Sequence, residues 1–212
     1  MTLKTVFSAS TFALAVSVGM GVAQDADGTW RADLTALNPD ATQMAASGTA
    51  TLTVSGDTLT ITVDATGTAP GIMHLQHFHG FAEGDATSAC PGADADANGD
   101  GIVDLIETEP VAGVTMVPFH DDPANLEIVT ETYPTADEDG RYSYEQTVSL
   151  SDLEARFADA FPGQQLDFDR RVVFLHGVSE DMDLPETAQS LGDIPAHVTL
   201  PIACGTLDRA DG

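Results

Sequence analysis

Basic residues are nearly missing from this chain. Its 212 residues include 7 lysines and arginines against 34 aspartates and glutamates, for a formal net charge of −27, and Lys4 is the only lysine. Without a basic footprint the chain is excluded from nucleic-acid binding, and anionic membrane surfaces are equally poor partners. Long apolar runs are scarce too. The one candidate, from about Phe12 to Val22, is too short to span a bilayer comfortably and lacks a basic stop-transfer flank. With Lys4 ahead of it and the small residues Gly21 and Ala23 at its end, it reads as a secretory signal over residues 1–23, cleaved to leave Gln24 first. No later segment is apolar enough to cross a membrane, so the mature chain, 24–212, is expected to be periplasmic or secreted and free of membrane. The surplus of acid has two compatible readings, a solubilised surface and carboxylates available to metal cations.

Cysteine is also rare, with only Cys90 and Cys204. In an exported chain an even pair implies a disulfide, and this one would close a loop on the order of 100 residues, worth roughly 4–5 kcal/mol in the chain-entropy model.

What is present is short alternating runs. Gly28 to Leu37 reads as a first strand anchored by Trp30. Thr49 to Val54 and Thr58 to Asp64 alternate apolar and polar residues around the turn Ser55-Gly56-Asp57, the clearest hairpin in the chain. Ile72 to Gly80 reads as a histidine-rich strand, and residues 81–125 as a long loop rich in Gly, Ala, Asp and Pro. Tyr142 to Leu150 alternates again. Ser151 and Glu154 suggest a capping box opening a short helix, 151–160. Val172 to His176 reads as a buried strand, 179–196 as an acidic loop, and Val198 to Leu207 as a closing strand. The expectation is one all-β domain, an antiparallel Greek-key sandwich or barrel with long loops and one short helix.

His77 and His79 stand two apart on a strand, so they face one side with Cα atoms roughly 6.5–7 Å apart. Neutral imidazoles at that spacing can converge on copper or zinc. Two exposed histidines on a polar face would show the same spacing. His74 points to the other face and reads as structural, and His197 reads as structural or exposed.

The run His74, His77, His79, then Gly84-Asp85 and Cys90, then Asp137-Glu138-Asp139-Gly140, then Arg171 to His176, then Ala203-Cys204-Gly205 resembles, in order and with gaps, the Cu/Zn superoxide dismutases. That resemblance implies a dismutase-like fold over about 48–207. It implies His77, His79 and His176 as copper ligands and catalytic residues, with superoxide as substrate, and a Cys90–Cys204 disulfide. The family's zinc loop is not recognisable here, and zinc is not expected. His120 is a candidate fourth copper ligand. Pro201 stands where the family places an arginine that guides the anion, with Arg170 or Arg171 as possible substitutes in space.

Asp96-Ala97-Asn98-Gly99-Asp100-Gly101-Ile102-Val103-Asp104-Leu105-Ile106-Glu107 matches the EF-hand calcium loop. Asp96, Asn98, Asp100 and Asp104 supply side-chain oxygens, Ile102 a carbonyl, and Glu107 the closing bidentate carboxylate. Cys90-Pro91-Gly92 precedes the loop where a helix would be expected, so an insertion over about 91–110 reads as a structural brace. Three functions follow from these features. The first is a copper-dependent dismutase, and the second a non-enzymatic periplasmic protein that binds or buffers copper. The third is a calcium-braced structural β-domain, similar to chordin-type domains, in which the histidines are incidental.

Overall fold

The computed structural model describes residues 27–210; the signal expected over 1–23 lies outside them. In chain order the elements are β1 (Gly28–Ala36), a single helical turn α1 (Pro39–Thr42), β2 (Ser47–Ser55), β3 (Thr58–Thr66) and β4 (Gln76–Gly80). Then come α2 (Leu105–Ala112), β5 (Val114–Pro118), β6 (Tyr142–Ser149), α3 (Leu150–Ala160) and β7 (Val172–His176). The short α4 (Ala196–Thr199), β8 (Pro201–Thr206) and β9 (Asp208–Arg209) close the chain.

All the strands join one antiparallel sheet of nine, in the order β5-β4-β7-β8-β1-β2-β3-β6, with β9 beside β1. The fold is therefore all-β, a sheet curled into a half-barrel. Alternation decides its inner face: Ala50, Leu52 and Val54 of β2 and Leu59, Ile61 and Val63 of β3 are buried while their neighbours are not. Helix α3 plugs the concave side with Leu150, Leu153 and Phe157. Two tyrosines of the edge strand β6 reach across the opening. Tyr142 Oη donates to Gln76 Oε1 (3.2 Å) and Tyr144 Oη to the carbonyl of His120 (2.7 Å).

Strands β4 and β7 are buried on both faces. Phe78, Val173 and Leu175 enter the main core, whereas Val172, Phe174 and Cys204 join Ala112 in a second cluster on the opposite face. This second face is roofed by the segments between β4 and β5 and between β7 and β8. The Cys90–Cys204 disulfide, with Cα atoms 5.8 Å apart, pins the first of these roofs to β8.

Three local readings need correction. The stretch 81–125 is not a bare loop, since it contains α2 and the edge strand β5. Asp104 caps α2, accepting from the amides of Ile106 and Glu107, while Glu107 returns a bond to the amide of Asp104. These are residues whose carboxylates otherwise read as calcium ligands alone. The cap of α3 is Ser149, which accepts from Asp152 N (3.2 Å), two residues before the expected Ser151. The histidine strand starts only at Gln76, because residues before it pair with the 134–136 segment rather than with the sheet.

Candidate metal centre

The alternation that sends Phe78 into the main core sends His77 and His79 to the opposite, roofed face. On the neighbouring strand the same logic places His176 with Phe174, two rings 5.7 Å apart. The three imidazoles meet there: ring centroids are 4.8 Å apart for His77–His79, 4.6 Å for His77–His176 and 6.2 Å for His79–His176. One nitrogen from each lies within 4.8 Å of the others, and all three residues are buried. Among the described residues no other group of three or more His, Cys, Asp or Glu side chains gathers in this way. The site lies between sheet and roof, not inside the main core where a sandwich interior would place it.

Backbone carbonyls set the tautomers. His79 Nδ1 donates to the carbonyl of Gly113 (3.1 Å), at the end of α2, and His176 Nδ1 donates to that of Thr199 (2.7 Å) in α4. Both rings therefore hold their lone pair on Nε2. His176 Nε2 and His77 Nδ1 are buried without any hydrogen-bond partner. The Thr115 hydroxyl lies 3.4 Å from His77 Nε2 and 3.2 Å from His79 Nε2. Two orphaned buried nitrogens are costly unless something accepts their lone pairs, and a metal ion does so. Burial holds all three rings neutral, the form that ligates. Desolvation, then the neighbouring rings of His176 and His79, pushes His77 well below the ordinary histidine range. Desolvation and the charge of His176 lower His79 to about 3, and desolvation lowers His176 to about 4.

A pH dependence follows. Above about pH 6.5 the three rings are neutral whether the chain is folded or unfolded, so they bring no penalty. Below it the unfolded chain takes up protons that the folded chain refuses until pH 4 to 3. Folded stability therefore falls as pH drops through that window, by about 1.4 kcal/mol per pH unit for each such ring. Metal-free protein should melt at a lower temperature at pH 5.5 than at pH 7.5, and His79→Gln should shrink the difference. A melting temperature equal at both pH values would contradict the burial of neutral rings.

The cavity over His77 and His176 is only about 20 Å³, with Thr115 and Thr199 beside the rings and Leu75, Leu105, Ile128, Leu191 and Ile194 completing it. That is room for an ion or a single water. Thr115, Thr199, Gly113 and the five aliphatic side chains are the residues that sequence reasoning missed. The run Val114 to Pro118, with the β-branched Val114, Thr115 and Val117 ahead of a proline, is the one signal of β5 in the sequence.

Other candidate residues lie elsewhere. His120 is not in the cluster: its Nε2 donates to the carbonyl of Glu127 (3.0 Å) and its Nδ1 accepts from the amide of Asp122 (3.0 Å), so the ring fastens its own loop. His74 lies outside the cluster as well, with its Nδ1 2.9 Å from the carbonyl of His176 and its Nε2 2.9 Å from that of Ala69. It holds the backbone of a cluster histidine rather than joining the cluster. His197 Nε2 donates to the carbonyl of Met182 (2.7 Å). Neither arginine stands in for the anion guide. Arg170 pairs with Asp167 and the carbonyl of Ala86, and buried Arg171 donates to the carbonyls of Leu166 and Gln165. Pro201 sits opposite His176 in the ladder.

In the 96–107 loop, Asp96 accepts from the amides of Gly99, Asp100 and Gly101, and Glu107 Oε1 from those of Ala97 and Asn98. Asp100 Oδ1 accepts from Ile102 N, and Gly101 takes the positive φ of 93° that the sharp turn demands. The loop's oxygens are engaged by its own amides and, at Asp100 and Asp104, by the Thr187 hydroxyl and the Gln189 amide, rather than drawn to one point.

A family model for the CHRD domain matches residues 30–158, well over half of the chain. No curated protein matches it. The resemblance to the Cu/Zn superoxide dismutases is thereby overturned, since the family found is a different one. The fragments that suggested it are short, separated by gaps, and lack the zinc loop. The match takes in His77, His79, Cys90 and the 96–107 loop, and ends before His176 and Cys204.

Proposed function

The chain belongs to the CHRD-domain family, and from the meeting of three buried neutral imidazoles we propose that it is an exported copper-binding domain. The observation that carries the reading is the pair of partnerless buried nitrogens, His77 Nδ1 and His176 Nε2, in a cluster completed by His79. A set of three uncharged imidazoles suits copper and zinc, and the general order of divalent affinities puts Cu²⁺ above Zn²⁺. When bound, copper would supply one-electron redox chemistry. The residues around it do three things: carbonyls of Gly113 and Thr199 fix the ring tautomers, His74 holds the backbone of His176, and the aliphatic roof keeps bulk water away. The roof, the −27 charge and the engaged arginines favour holding copper over fast turnover of superoxide, an anion. Export is supported by the signal-like residues 1–23 and by the disulfide, a bond that persists in oxidising compartments. Calcium is proposed as a second ion, bound by Asp96, Asn98, Asp100, Asp104, Glu107 and the carbonyl of Ile102. The support is the twelve-residue pattern with its glycine at the turn.

The experiment is a titration of metal-free protein with Cu²⁺, Zn²⁺ and Ca²⁺ in turn, followed by a superoxide assay of the copper-loaded form. One equivalent of copper held against a competing chelator, and held more tightly than zinc, is expected. Copper that washes off as easily as from a histidine-free acidic protein would refute the reading. Bound copper with superoxide consumption no faster than the metal-free control is the expected result of the assay, and rapid consumption would make the protein an enzyme. Absence of calcium heat in calorimetry would leave the 96–107 loop a brace without an ion.

A further inference from the structure

Beside the histidine cavity lies a second, much larger one of about 510 Å³, within the size range of small-molecule sites. The two share Leu75 and Ile194, so two aliphatic side chains form the wall between them. The large pocket is a half-open concavity lined by Ile72, Met73, Leu75, Val178, Ile194 and Val198, apolar residues gathered in one place rather than scattered over the surface. Its charged side chains are all of one sign. Glu180 and Asp193 line it, and among the described residues neither lysine nor arginine does. His197 and Thr130 also line it, the ring of His197 donating its Nε2 hydrogen to Met182 and keeping an acceptor on Nδ1.

A half-open apolar pocket rimmed by exposed carboxylates, with no cation among its lining residues, discriminates between occupants by charge. An organic anion would lose its hydration and meet only repulsion. A neutral apolar molecule would gain the apolar contact alone, the exposed carboxylates staying hydrated. A cation with an apolar body satisfies both halves. We propose that this pocket binds a small organic ammonium ion, its apolar body against Leu75, Ile194 and Val198 and its charge toward Glu180 and Asp193. The site does not depend on copper, although a ligand seated there would press on the wall of the histidine cavity.

The test uses three probes with one body and different ends: phenethylammonium, 2-phenylethanol and phenylacetate. Each is titrated into the metal-free full chain by calorimetry and by chemical-shift mapping. The ammonium should bind up to about 5-fold tighter than the alcohol, as expected for one exposed charge partnership, and phenylacetate should not bind. Glu180→Gln combined with Asp193→Asn, both exposed positions, should erase the preference while leaving the alcohol's affinity unchanged. A bulky Val198→Trp change should block all binding, with shifts at Ile194 and Leu75 lost. Equal affinities for all three probes would overturn the proposal. So would an ammonium preference that survives the double substitution, because that would be attraction to the acidic surface at large. Should copper fail to bind while the ammonium does, the metal reading falls and this site stands.

Discussion

Replacing His176 with glutamine lowers copper affinity about 100-fold or more, read by competition against a chromophoric chelator. Loss of an outer partner of a metal ligand typically costs about 10-fold to 100-fold, so loss of a ligand itself should reach or pass the upper end. Glutamine is the informative replacement because it retains an N–H able to meet the Thr199 carbonyl, now bonded by His176 Nδ1 at 2.7 Å. It removes the Nε2 lone pair, which has no other use in the protein. His79→Gln provides an independent second variant, with Gly113 as the carbonyl to be satisfied. His120→Gln is the control. Its ring bonds to Glu127 and Asp122 within its own loop, so copper affinity should stay within about 3-fold of the parent value while the loop loosens. If both cluster variants keep parental affinity while circular dichroism shows them folded, the three imidazoles are not the copper site.

Much of this arrangement is legible in the sequence, and the part that is not has a physical reason. The hairpin β2–β3 follows from strict alternation, and the shared face of His77 and His79 follows from the period of a strand. Bringing His176 to them required knowing that β7 pairs with β4, His77 opposite Phe174, which is a long-range pairing no local pattern encodes. The family was misread because residue order along a chain is weak evidence of descent when the pieces are only a few residues long. Which face the histidines occupy was also hidden. Strands β4 and β7 are buried at every position, so alternation cannot say which side meets the core when both sides are covered. The part of the roof that contains α2 is hidden in the sequence because the acidic pattern at Asp104 and Glu107 serves a helix cap and a calcium motif equally well.

That roof makes the disulfide the most consequential bond in the fold, and the double substitution Cys90→Ala with Cys204→Ala should show it. The bond spans 114 residues of sequence, and closing a loop of that length stabilises a chain by about 5 kcal/mol in the entropy model. Against the usual total of about 5–15 kcal/mol for a domain, this is a third or more of the margin. The urea midpoint should therefore drop sharply at nearly constant slope. The location predicts a second effect. Cys204 stands opposite Phe174 in the β7–β8 ladder, two residues before His176 on that strand, and packs with Ala112 at the end of α2. The segment that Cys90 fastens runs on through Leu105, Gly113 and Thr115, each of which touches the histidines or covers them. Freed at Cys90, that segment still has α2 and the β4–β5 ladder to hold it, so the site should loosen rather than vanish. Copper affinity is expected to fall several-fold under conditions where the variant remains folded, less than for loss of a ligand. An unchanged urea midpoint would mean the unfolded chain is already constrained without the bond. An unchanged copper affinity in a destabilised but folded variant would mean the sheet alone places the three rings, with the roof contributing only cover.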